Sequence, residues 1–280
     1  MIIDLSENNN VINWNEVKEN VEGVILRCAY RGYRYNTIKA DQKFSVYASA
    51  CVSLNIPLGI YFMSQAINEA EAIEEAEYTL KCAKECGATL PLFIDSEWSH
   101  NTHDGRADNL SKEARTNVVK AFCNRINAAG YVGGVYACES WFSEHLIYNE
   151  VRDFYVWVAD YGRNTGEIVS TISLPKYDLF QFTSNRRVPG IQNPIDCSVY
   201  PGELPKEPQR TERTLTGMPI IRKGSRGKAV QIWQCILGIS PDGVFGDNTL
   251  KATTEYQKNH NLEQDGCVGP ITWQSGINSF

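Results

Sequence analysis

No apolar run in this 280-residue chain is long enough to cross a bilayer, which removes membrane-spanning functions and any expectation of a membrane partner. Positive charge is not in excess either. Lys and Arg number 27 against 33 Asp and Glu, a net charge of −6, and residues 1–200 alone carry −7. An acidic body of that kind lacks the basic face that nucleic acid requires, so no nucleic-acid partner is expected. The first residues, Met1-Ile2-Ile3-Asp4-Leu5-Ser6-Glu7, hold no basic segment, no long apolar core and no small-residue cleavage site. Synthesis in the cytoplasm without a signal peptide is expected, with action elsewhere only after release by another agent.

Histidine is scarce, at four residues, and the nine cysteines form no regular framework. They stand at 28, 51, 82, 86, 123, 138, 197, 235 and 267, an odd and irregular series lying mostly in apolar stretches. Free, buried thiols of a reducing compartment are the expectation. Cys82 and Cys86 have no second pair to complete a zinc site. His100 and His103 lie near Glu97, but in a polar stretch that reads as a loop. No metal and no cofactor are expected.

What is present is a chain 42% hydrophobic, enough for a sizeable core, arranged in two unlike parts. Short apolar runs over 21–29, 56–63, 90–94, 132–137, 154–159 and 177–182 suit buried parallel strands. Helical patterns lie between them. Residues 66–86 are rich in Ala and Glu. In residues 111–129, Ser111 is placed as N-cap, Ala114, Val118, Phe122 and Ile126 form an i, i+4 stripe, and Gly130 follows as a stop. Alternating strands and helices predict an α/β fold, a parallel sheet wrapped by helices. Fewer than eight clear helices imply an irregular β/α barrel, with chemistry at the strand C-termini. Residues 201–217, with three prolines in 201–208, read as a linker. Residues 218–280 read as a small all-α domain with an internal echo. Asp242-Gly243-Val244-Phe245-Gly246-Asp247-Asn248-Thr249 recurs 23 residues later as Asp265-Gly266-Cys267-Val268-Gly269-Pro270-Ile271-Thr272. Val230, Trp233 and Leu237 share one helical face upstream.

Leu90-Pro91-Leu92-Phe93-Ile94-Asp95-Ser96-Glu97 carries the chemistry. An apolar run ends in two carboxylates one residue apart. On a strand, alternation points Asp95 and Glu97 the same way. Each raises the other's cost of ionising, so one can hold a proton near neutral pH, as glycosidic cleavage demands. Asp4 ends the first apolar run and Asp196 the last strand-like one. A closed barrel makes first and last strands neighbours, which would gather all four acids on one rim. Tyr61, Tyr136 and Trp157 lie in or at the end of strands and suit the flat C–H faces of sugars, although Trp157 serves equally as core. Gln181, a polar residue inside the apolar strand Phe180-Gln181-Phe182, is expected either to face the site or to pair internally.

These residues resemble a known family. Asp4-Leu5-Ser6, Asn13-Trp14, Gly59-Ile60-Tyr61-Phe62, Asp95-Ser96-Glu97, Gly130-Tyr131, Trp157-Val158-Ala159, Phe180-Gln181-Phe182-Thr183-Ser184 and Ile195-Asp196 follow the order found in glycoside hydrolase family 25, the N-acetylmuramidases or lysozymes that many phages use as endolysins. Lys223-Gly224-Ser225-Arg226-Gly227, Val230, Gln234 and the two Asp-Gly units resemble the type 1 peptidoglycan-binding domain. The resemblance implies a flattened β/α barrel over residues 1–200 and bacterial peptidoglycan as partner. It implies Glu97 as general acid, Asp95 as its partner, and Asp4 and Asp196 as flanking acids; Tyr61, Tyr136, Trp157 and Gln181 stand, on the reading of the residues above, as candidate substrate contacts. Asn8-Asn9-Asn10 stands where the family often has Gln, and Phe180 where it often has Trp. The implied reaction cuts the β-1,4 bond between N-acetylmuramic acid and N-acetylglucosamine, as an endolysin lysing a host wall. A bacterial autolysin of the same chemistry, or a non-catalytic wall-binding protein, are the competing readings.

Overall fold

The structure, a computed structural model, describes residues 1–100, 102–201 and 219–278. The expected linker at 201–217 therefore lies almost wholly outside the described residues. The chain separates into two compact units, Met1–Pro208 and Gln209–Phe280.

In the first unit the elements run β1 (Ile2–Leu5), α1 (Trp14–Asn20), β2 (Gly23–Arg31), β3 (Ile38–Ala40), α2 (Phe44–Ser53), β4 (Leu58–Met63), α3 (Glu69–Cys86), β5 (Leu92–Asp95), α4 (Lys112–Ala128), β6 (Gly133–Cys138), α5 (Glu139–Glu144), α6 (Tyr148–Val151), β7 (Tyr155–Ala159), β8 (Leu179–Arg186) and β9 (Ile195–Val199). The strands pair in the order β1-β9-β8-β7-β6-β5-β4-β2, and β1 pairs with β2 to close the ring. This is the expected irregular β/α barrel with eight strands. Two features depart from a wholly parallel ring. β9 runs antiparallel to both neighbours, because only the short segment 187–194 separates it from β8, with no helix to carry the chain back. β3, a short and partly exposed strand absent from the apolar pattern, folds back antiparallel on β2 outside the ring.

Helix ends follow local chemistry. The Ser111 side chain accepts from the Ala114 N–H at 3.2 Å and starts α4. Gly87, at φ +63°, closes α3 in the left-handed conformation that β-carbons disfavour. Strand alternation sorts the apolar residues into two layers. Ile3, Leu5, Val24, Leu26, Ile60, Phe62, Ile94, Val135, Val156 and Val158 face outward onto the helices. Ile2, Ile25, Phe93, Trp157 and Leu179 face the bore, with Tyr61, Tyr136 and Tyr155 against them. Gly134 is a bore position that must stay small. A Cβ there would lie 2.6 Å from the Phe93 ring.

The second unit contains α7 (Lys228–Ile236), α8 (Asp247–Asn259) and α9 (Pro270–Asn278) around Ile221, Val230, Trp233, Phe245, Val268 and Trp273. The sequence echo is a structural repeat. Gln234 Nε2 donates to Asp242 Oδ1 at 2.7 Å, the Val244 carbonyl at 3.1 Å and Thr249 Oγ1 at 3.0 Å, while its Oε1 accepts from the Gly243 N–H at 2.8 Å. Gln257 repeats this with Asp265, Cys267, Thr272 and Gly266 at 2.8, 2.9, 3.4 and 2.9 Å. One buried glutamine thus ties each Asp-Gly turn to the Thr of the following helix, leaving the amide satisfied. All nine cysteines are free; Cys28, Cys51, Cys82, Cys123 and Cys197 are buried, whereas Cys138 and Cys235 are exposed.

Candidate active site

Asp4 and Asp196 sit directly opposite each other on the antiparallel β1–β9 pair, and both face the bore. Asp95 ends β5, paired with Tyr136 on β6. The backbone stays extended beyond it: the Ser96 N–H donates to the Tyr136 carbonyl at 3.0 Å. Ser96 itself turns outward, where Trp141 Nε1 donates to its hydroxyl at 3.1 Å. Glu97 follows in the bend just past β5, near enough to Asp95 to raise it. The four expected acids are brought together at one end of the barrel.

Their electrostatics are those of a confined like-charge cluster. Burial, and after it Asp196, pushes Glu97 up to about 7. Burial raises Asp95 well above the carboxylate range, aided by Glu97 and Asp4 and opposed by Arg27. Asp4 is raised by burial and then by Asp196, with Glu97 adding a smaller push, while a hydrogen bond from Gln181 acts against them. Asp196 is raised by burial. Asp95 Oδ1 is buried without a hydrogen-bond partner among the described residues, an acceptor facing unmet demand.

The expected substrate contacts divide. Tyr61 and Tyr136 are partly exposed among the acids. Asp4 and Asp95 both raise the Tyr61 phenol further, after burial, as Glu97 and Asp95 do for Tyr136. Trp157 is placed differently. It is 2% exposed, packs on Phe93 at 5.0 Å and Tyr136 at 4.6 Å between ring centroids, and donates from Nε1 to Ser198 Oγ at 3.0 Å. It floors the site as part of the bore core and is not an open platform, because its place on β7 is enclosed by the ring of strands. Gln181, also 2% exposed, is sealed into internal hydrogen bonds, the second of its two expected placements. His100 Nε2 lies 3.0 Å from Asp104, its ring meets Tyr33 at 4.6 Å, and His103 stacks on Trp98, so both rings engage nearby loop residues.

Two residues escaped the sequence reading. Arg27 occupies a bore position of β2 in an otherwise apolar run. It donates to Asp41 at 2.9 Å and Glu7 at 3.1 Å, and supplies positive charge near Asp95. Its signal was a charged residue inside Val24-Ile25-Leu26-Arg27-Cys28. Tyr161, just beyond β7, hydrogen bonds to Gln181 at 2.7 Å and Asp196 at 3.4 Å. Only the tertiary structure places it there.

Residues 3–191 match the model of the glycosyl hydrolases family 25, and residues 229–275 match that of a peptidoglycan binding domain. Among solved structures, the modular autolysin LytC of Streptococcus pneumoniae, in complex with a synthetic peptidoglycan ligand, is 28% identical. It has a TM-score of 0.60 over 71% of this chain and 46% of its own. The catalytic domain of endolysin ply40, from bacteriophage P40 of Listeria monocytogenes, is 25% identical with a TM-score of 0.58, covering 71% of this chain and 91% of that one. A bacterial lysozyme from Streptomyces coelicolor shares the fold at 21% identity and a TM-score of 0.58, over 74% of this chain and 94% of that one. An uncharacterized protein in the bpoA1 3' region of Kitasatospora aureofaciens is 38% identical over 65 residues, 21% of this chain. The chain spans 55% of that curated relative and 46% of LytC.

Proposed function

The chain belongs to the glycosyl hydrolases family 25, and from that premise we propose that it is an N-acetylmuramidase, cutting the β-1,4 bond between N-acetylmuramic acid and N-acetylglucosamine in peptidoglycan. The pairing of two adjacent carboxyls in unlike states carries the reading: Glu97 is pushed up to about 7, and beside it buried Asp95 Oδ1 has no donor among the described residues. Glu97 holds the proton that the departing sugar oxygen takes up. Asp95 Oδ1 accepts the N–H of the substrate's acetamido group, and that donor favours the charged carboxylate. The oriented acetamido carbonyl then attacks the anomeric carbon, its amide taking the place of an enzyme nucleophile, and water completes hydrolysis with retention. Asp4 and Asp196 flank the reacting centre and supply negative charge against the oxocarbenium-like transition state.

The Glu97→Gln variant is expected to abolish clearing of a suspension of purified wall while still sedimenting with it. Clearing at the parent's rate would remove Glu97 from the acid's role. Proton NMR of the first product is expected to show the β-anomer; an initial α-anomer would instead require inversion by an enzyme-held water.

In the cell, the reading is an endolysin that lyses a bacterial host's wall, made in the cytoplasm and reaching the wall after release. The second unit holds the enzyme on peptidoglycan and raises its local concentration. The likeness to the ply40 catalytic domain supports this role. The likeness to LytC favours the same chemistry in an autolysin. Appearance of the protein only on prophage induction, against steady presence in growing cells, separates the two.

A further inference from the structure

Gln181 lies in the bore on β8, in register with Ala159 of β7 and Ser198 of β9 and two residues beyond the interior Leu179. An aliphatic side chain would fill this place without demanding partners. Instead two phenols converge on Gln181 Oε1, Tyr136 from β6 at 2.7 Å and Tyr161 from beyond β7 at 2.7 Å. Gln181 Nε2 donates to Asp4 Oδ2 at 2.8 Å. The Tyr161 hydroxyl also reaches Asp196 Oδ1 at 3.4 Å. An amide oxygen has two lone pairs, and two O–H donors occupy both. The NH₂ end is then the only end left for Asp4. The network spans four strands and touches two of the four acids, and its members are satisfied, which gives such a network rigidity.

We propose that Gln181 is a positioning residue: Tyr136 and Tyr161 lock its amide so that Nε2–H is always presented to Asp4, holding that carboxyl in place and offsetting part of what burial and Asp196 cost its charged form. The charged form of Asp4 makes ionisation of Asp95 more costly, so a bond that favours that form acts on the cluster beyond Asp4 itself. The amide also stops Asp4 from rotating to share a proton with Asp196 across the β1–β9 pair. With the amide reversed, its carbonyl would face Asp4, and Asp4 would have to carry a proton to donate. The two arrangements give opposite pH behaviour when the side chain is changed. The role rests on the muramidase reading above.

The test measures reducing-end release from purified peptidoglycan against pH for the parent, Gln181→Met, Gln181→Glu and Tyr161→Phe, with thermal melts at each pH. Loss of a hydrogen bond to a charged group is expected to move the acid limb of kcat/KM for Gln181→Met up by about one pH unit. Tyr161→Phe, an isosteric change at a partly exposed residue, moves it the same way by less, and keeps the test alive should the Met variant not fold. Gln181→Glu approaches the parent as pH falls, because a protonated glutamate offers O–H in place of N–H, and loses activity as pH rises and two carboxylates face each other. An acid limb that stays put or moves down in both Gln181→Met and Tyr161→Phe overturns the proposal, as does a Gln181→Glu deficit independent of pH. If the parent releases no reducing ends, the muramidase reading fails, and the melts still decide the charge placement. Gln181→Glu should then lose Tm relative to the parent only as pH rises, and a constant difference overturns it.

Discussion

At the residue scale, the site is a strained concentration of charge. Glu97, held at about 7 against 4.5 for an ordinary glutamate, binds its proton more tightly in the folded than in the unfolded state. The folded protein therefore holds more protons, and stability falls as pH rises from about 4.5 to 7. Glu97→Gln removes that liability. It is expected to leave stability nearly unchanged at pH 4 and to raise it at pH 8 by about 1–3 kcal/mol, read from urea unfolding at the two pH values. With Glu97 in its proposed role as acid, kcat/KM of the parent is expected to decline as pH passes about 7. A rise in both activity and stability in the Gln variant would contradict the trade between charge crowding and catalysis. Asp95 and Glu97 were legible as a pair because strand alternation alone joins residues two apart. Arg27 was not, since a single arginine in an apolar strand does not reveal whether it faces bore or helix.

At the element scale, strands and the long helices were readable from period and caps. Ser111, the Ala114–Ile126 stripe and Gly130 mark α4, and they act locally, through bonds and contacts within a few residues. The direction of β9 was not readable. Ile195-Asp196 has the same apolar-acid pattern as Ile94-Asp95, yet it runs the other way, and strand pattern is blind to direction. Close approach between adjacent strands of the ring was equally hidden. Gly134 reads as an ordinary glycine, but its missing Cβ leaves room for Phe93 at 2.6 Å and for the Tyr155 carbonyl at 2.7 Å. Gly134→Ala is expected to lower stability by about 1–3 kcal/mol through overpacking, measured by chemical denaturation. Ser111→Ala, which removes a cap in α4, is expected to cost about 1 kcal/mol in the same assay.

At the scale of the whole molecule, a family 25 unit and a small helical unit occupy one chain, and each has its own core. The helical unit depends on two buried glutamines doing the same job 23 residues apart. Gln257→Ala strands the Gly266 N–H and the Asp265, Cys267 and Thr272 partners. Retention of the protein on sedimented wall should fall, while hydrolysis of soluble peptidoglycan fragments stays at the parent's rate. Equal loss of both activities would show that the two units do not act separately.

The sequence by itself determined what short-range rules control: which segments become strands or helices, which strand ends carry acids, and the repeated Asp-Gly turns of the second unit. It also determined that two carboxyls, Asp95 and Glu97, stand together where a strand ends, since residues two apart in an extended run cannot be far from each other. Only the tertiary structure decided that Asp4 stands across from Asp196, that Trp157 is floor and not platform, and that Tyr136 and Tyr161 meet on Gln181. Those facts depend on ring closure and on strand direction, which bring together residues such as Asp4 and Asp196, 192 positions apart, and no local pattern encodes such distances.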